Sequence, residues 1–123
     1  MPAYDGADFD PPAPIVHALV RGLDGGQASD ALLLLDTGAD VSVVPRVGVE
    51  GTGTAVRRSN IAIEGYGGGR ALCDLADLEV EILGYGFKGA YVVGDAAFGI
   101  VGRDILNLLV LQLNGPGREW SVL

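Results

Sequence analysis

The chain has 123 residues, 16 acidic against 8 basic side chains and a formal net charge of -8. That balance argues against nucleic-acid binding, which needs cations to neutralise phosphates, and against electrostatic docking to an anionic membrane. One cysteine, Cys73, rules out an intrachain disulfide. The length is that of a single domain, and 20 glycines among short apolar runs point to an all-β fold with tight turns.

Residues 1–14 carry four of the six prolines (Pro2, Pro11, Pro12, Pro14) interleaved with Asp5, Asp8 and Asp10. This composition predicts a flexible arm, with the folded domain spanning 15–123. The arm has neither the basic nor the apolar region of a signal peptide, and no apolar run reaches membrane-span length, so the default expectation is a cytoplasmic protein with no membrane partner. Residues 15–23 read as a strand containing the single histidine, His17, followed by a turn at 24–26. The apolar run 31–35 suits a strand buried on both faces and stops at Asp36-Thr37-Gly38. Val41, Val43 and Val44 follow, closed by Pro45, and residues 46–59 read as a glycine-rich loop.

Residues 60–64 and 70–82 flank Gly65, Tyr66, Gly67, Gly68 and Gly69, a hairpin with a glycine-rich tip. Leu78, Val80 and Ile82 alternate with Asp77, Glu79 and Glu81, the pattern of a strand with one wet face. Residues 87–93 and 98–102 read as further strands. Ile105, Leu106, Leu108 and Leu109 give 103–109 the one helical pattern, and 110–113 and 119–123 are terminal strands. No His/Cys cluster has metal-ligand spacing, and a Ser-His-Asp or Cys-His mechanism would have to route through His17 alone.

The chemistry concentrates at Asp36. A carboxylate at the end of an apolar strand needs a partner or a purpose. Gly38 permits close backbone approach, and Thr37 places a hydroxyl beside the acid. Alone, such a tripeptide is better explained by a structural turn. In combination, Asp36-Thr37-Gly38-Ala39-Asp40 between apolar runs resembles the active-site loop of the retropepsins, the retroviral-type aspartic peptidases. Residues 99–106, Gly-Ile-Val-Gly-Arg-Asp-Ile-Leu, resemble that family's second signature, and residues 63–69 resemble its glycine-rich flap.

The resemblance covers nearly all of 15–123. It implies a small, closed β-barrel-like retropepsin fold with one short C-terminal helix and one lobe per chain. It also implies that Asp36 is the catalytic acid, with a second copy of the chain supplying its twin. Thr37 would bond across the two-fold axis, Gly38 would admit substrate backbone, and Asp40 with Arg103 would form an ion pair locking the loop. Gly65, Tyr66, Gly67, Gly68 and Gly69 would form the flap over a peptide or protein substrate, and the last strand, near residues 120–123, would build the dimer sheet. Apolar candidates for the specificity pockets are Val41, Val44, Ile63, Ile100 and Val101. No metal or other cofactor is required. The rival expectation is a catalytically weak dimerisation or peptide-binding module on the same fold.

Overall fold

In a computed structural model, residues 2–64 and 70–123 are described. The elements run in chain order as β1 (Tyr4–Asp5), β2 (Ala13–Gly22), β3 (Ser29–Leu35), β4 (Val43–Pro45) and α1 (Arg46–Gly51). The middle of the chain forms β5 (Arg57–Glu64), β6 (Arg70–Ile82) and β7 (Tyr85–Gly94). The last third forms β8 (Gly99–Val101), α2 (Arg103–Leu106), β9 (Leu111–Asn114) and β10 (Glu119–Val122). The main sheet has the order β1-β2-β3-β8-β4-β7-β6-β5, and an added β2–β6 pairing closes β2, β3, β8, β4, β7 and β6 into a barrel. The chain is mostly strand, 53% against 9% helix, so the all-β closed barrel expected from sequence is the fold observed.

Strand periodicity explains the barrel. Val16, Ala18 and Val20 on β2 and Ala76, Leu78, Val80 and Ile82 on β6 point inward and are essentially buried, while His17, Leu19 and Asp77 are exposed. The acidic face of β6 is matched by arginines: Arg57 bonds Asp77 at 2.7 Å, and Arg21 lies 3.3 Å from Glu79 and 3.6 Å from Glu81. Such solvent-exposed pairs contribute about 0–1 kcal/mol each, so apolar burial dominates. The β6–β7 hairpin turns at Leu83 and Gly84, both left-handed at φ 51° and 86°, the geometry that fits the right-handed twist of the flanking strands.

Several local expectations differ from the structure. Residues 46–59 are not all loop, because 46–51 form α1. Its Gly48 and Gly51 lack the side chains that would crowd β3: a Cβ would stand 3.3 Å from the Asp30 carbonyl and 2.4 Å from Ser29 Oγ respectively. Tertiary packing, with Val49 fully buried, overrides the poor helix propensity of glycine. The barrel therefore carries two short helices, and the second ends at Leu106 rather than 109. The run 31–35 is not equally buried on both faces: Ala31 and Leu33 face the core, and Leu32, Leu34 and Leu35 are half-buried.

The segment expected as a flexible arm carries structure of its own. Tyr4 and Asp5 pair with Pro14 and Ala13, Ala3 bridges to Glu119, and the Trp120 amide donates to the Pro2 carbonyl at 3.1 Å. The separate β9–β10 hairpin is anchored by Trp120, which is 1% exposed and donates its indole N–H to the Ile15 carbonyl at 2.8 Å.

Candidate active site

Asp36 stands where β3 leaves the barrel. Its amide donates to the Val101 carbonyl at 3.0 Å, continuing the parallel β3–β8 ladder by one residue, so the backbone of the acid is fixed by the sheet. The chain then turns, with the Ala39 amide donating to the Asp36 carbonyl at 3.2 Å. The Gly38 amide donates to Asp36 Oδ1 at 2.8 Å. A Cβ on Gly38 would lie 3.1 Å from that oxygen, a crowding that glycine avoids. Asp36 itself is half-buried, and Thr37 and Gly38 are exposed. The carboxylate is thus oriented through one oxygen.

Residues 102–104 hold the loop from behind. The Arg103 amide donates to the Ala39 carbonyl at 2.9 Å, and its guanidinium bonds the Thr37 carbonyl through Nη1 at 2.6 Å and the Asp40 carboxylate through Nη2. The structure therefore brings Arg103 and Asp40 together. Their side chains are 42% and 83% exposed, so the pair adds little direct stability and acts chiefly on the shape of the loop.

A second set of contacts carries no signal in the sequence. Ser42, only 2% exposed, donates its hydroxyl to Asp104 Oδ1 at 2.7 Å and its amide to Asp104 Oδ2 at 3.0 Å, while accepting from the Gly102 amide at 2.9 Å. Asp104, in the first turn of α2, also accepts from the Ile105 amide at 2.9 Å. Gly102 must be glycine for the loops to touch: a Cβ there would stand 2.6 Å from the Val41 carbonyl carbon. Ser42→Ala strands the Gly102 amide and is expected to lower stability by about 1–3 kcal/mol, read as a fall in denaturant midpoint at constant m-value. A change below about 0.5 kcal/mol would show that the network contributes little.

Burial separates the pocket candidates. Val44 and Val101 are fully buried among core residues and cannot line a groove in this protomer, which corrects the expectation for both. Val41 is 40% exposed and Ile100 half-buried. Strand alternation assigns the outward position to Val43 instead of Val44, and Ile100 registers with Leu34 on β3 and Val43 on β4. Leu34, Ile100 and Val43 thus form an apolar row beside the Asp36 loop, and the two missed members follow from counting alternation outward from the acid. The side chain of Ile63 lies outside the described residues, as do Gly65, Tyr66, Gly67, Gly68 and Gly69, the expected flap. The flanking strands β5 and β6 are described and pair antiparallel up to Glu64 with Arg70.

Tyr91, on β7, donates its hydroxyl to the Phe87 carbonyl at 2.7 Å. Burial pushes its pKa up to about 12, and the Asp104 carboxylate adds to the shift. The neutral phenol is thus favoured by folding. Its contribution is fully present below the ordinary value of 10.0 and is lost as pH rises from there towards about 12. An absorbance titration should show one of the four tyrosines ionising late or only on unfolding, and four titrating together near 10.0 would contradict the burial.

Among the described residues there is no group of three or more His, Cys, Asp or Glu placed to hold a metal ion, and no helix long and apolar enough to cross a membrane. Residues 12–114 match the family described as retroviral aspartyl protease. The chain belongs to that family. Among solved structures it is similar to EIAV protease in complex with an inhibitor, with 26% identity and a TM-score of 0.62 over 77% of this chain and 86% of that one. Family and fold together make the chain an aspartic peptidase, a hydrolase.

Proposed function

We propose that the chain is a homodimeric aspartic endopeptidase in which Asp36 and the Asp36 of a second copy share one proton and activate water for peptide-bond hydrolysis. The observation that carries this reading is the held carboxylate. Asp36 is pinned through its amide to Val101 and through Oδ1 to Gly38, on a loop braced by Arg103 and by the Ser42–Asp104 contacts. The chain contains a single Asp-Thr-Gly, so a pair of carboxylates requires two chains.

Two carboxylates at close range cannot both ionise readily, so their macroscopic pKa values separate, as in aspartic proteases generally. Between those values one Asp36 takes a proton from water and its twin gives one to the carbonyl oxygen, which predicts a bell-shaped pH profile. Thr37, exposed beside the acid, joins the two loops across the axis, and residues 65–69 close over the peptide. The row Leu34, Ile100 and Val43 favours apolar side chains next to the scissile bond.

The test is cleavage of a mixed peptide library across the acidic to neutral range at several protein concentrations. A dimeric enzyme gives specific activity that rises with concentration until the dimer is saturated. Concentration-independent specific activity from a chain sedimenting as a monomer would sink the homodimer. A folded dimer that cuts nothing would favour the binding module.

A further inference from the structure

The N-terminal loop, 6–12, lies towards the end of the barrel that carries Asp36. β2 registers Ile15 with Leu34, two residues before Asp36, so the chain preceding Ile15 leaves the barrel at the same end as the acid. The segment is tied down there by the β1 pairing and by an ordered turn in which Asp5 Oδ1 accepts the amides of Ala7 at 2.8 Å and Asp8 at 3.0 Å. Gly6 lies close against Pro12 and Arg118, where a Cβ would be 3.3 Å from the proline ring. The loop thus presents Phe9 from a fixed base. Its ring packs edge-on against Phe98, with centroids 5.0 Å apart and planes at 76°.

Phe98 immediately precedes β8. Gly99 and Val101 are buried, whereas Phe98 and Ile100 are half-buried, which sets both on the side of the strand turned away from the core. Ile100 belongs to the apolar row with Leu34 and Val43, so Phe98 extends that row and Phe9 continues it beyond the barrel. Both rings remain half-buried rather than enclosed, leaving aromatic surface for another apolar group.

Resting on the peptidase reading above, we infer that Phe9 is a specificity-determining residue: with Phe98 it forms an aromatic shelf at the end of the groove that binds a bulky apolar side chain of the substrate. In a two-fold symmetric dimer the shelf occurs once on each side of the scissile bond. Losing one face of an apolar subsite changes discrimination between large and small side chains by about tenfold in kcat/KM. It leaves the other positions of the peptide unaffected.

The experiment profiles cleavage of a peptide library by the full-length wild type, Phe9→Ala and Phe9→Tyr, with thermal melts confirming that each is folded. The expected result is that Phe9→Ala loses about tenfold preference for bulky apolar residues at one position on each side of the cut, and that Phe9→Tyr restores it. An unchanged profile, or an equal loss on every substrate, would overturn the inference and leave Phe9 as packing for the N-terminal segment alone. These outcomes are separate from failure of the peptidase reading. In that case wild type cuts nothing, or Asp36→Asn cuts as well as wild type, and the inference falls with it.

Discussion

Replacing Asp36 by asparagine is expected to abolish peptide cleavage, by on the order of 10⁴-fold or more, because the change removes both the general base and the general acid of the proposed dyad. Asparagine keeps the shape of the side chain, and its carbonyl oxygen can still accept from the Gly38 amide now held at 2.8 Å. The loop should therefore keep its form, and the loss should appear in kcat rather than in folding. Dimerisation should be unchanged or tighter, since the substitution removes the negative charge of the dyad from an assembly of chains that each carry -8. Residual activity within about tenfold of wild type would place the chemistry elsewhere.

The largest structural effect is expected at Gly99. A Cβ there would stand 2.0 Å from the Val43 carbonyl oxygen and 2.8 Å from both Leu33 Cδ2 and Pro45 Cδ. The clash with Val43 is with backbone, so no rotamer change relieves it. β8 lies between β3 and β4 and is only three residues long, and its Val101 carbonyl holds the Asp36 amide. Gly99→Ala must therefore push apart the strands that position the acid. A cost of about 4 kcal/mol or more is expected, a large share of the roughly 5–15 kcal/mol available to a domain. Chemical denaturation measures it, and a cost below about 1 kcal/mol would mean that β8 relaxes freely.

The two glycines of residues 99–102 show what was legible in the sequence and why. Asp36-Thr37-Gly38 and Gly102-Arg103 are local patterns, legible together through their resemblance to the retropepsin signatures and therefore readable without knowing the fold. The alternation in β6 is equally local, and it placed that strand correctly. What could not be read depends on contacts distant in sequence. Ser42 meets Asp104 across a separation of 62 residues, and nothing in the composition around either predicts it. α1 forms because Gly48 and Gly51 fit closely against β3, which reverses the usual meaning of glycine in a loop. Val43 and Val44 are both apolar, so residue type does not separate them, and only the burial pattern of β4 and the pairing of Val43 with Ile100 show which faces outward. The proline-rich start of the chain reads as an arm because the contacts that tie it to the barrel, with Glu119, Trp120 and Phe98, lie far away in sequence.

The central claim is that each active site takes one Asp36 from each of two chains, and subunit mixing tests it most directly. Wild type is mixed and re-equilibrated with increasing Asp36→Asn at constant total protein, and cleavage is read at each ratio. If the dyad is shared, mixed dimers are inactive, activity follows the square of the wild-type fraction, and an equal mixture retains about one quarter. If activity instead falls in simple proportion, to about one half, each chain acts on its own and the shared-carboxylate account is wrong.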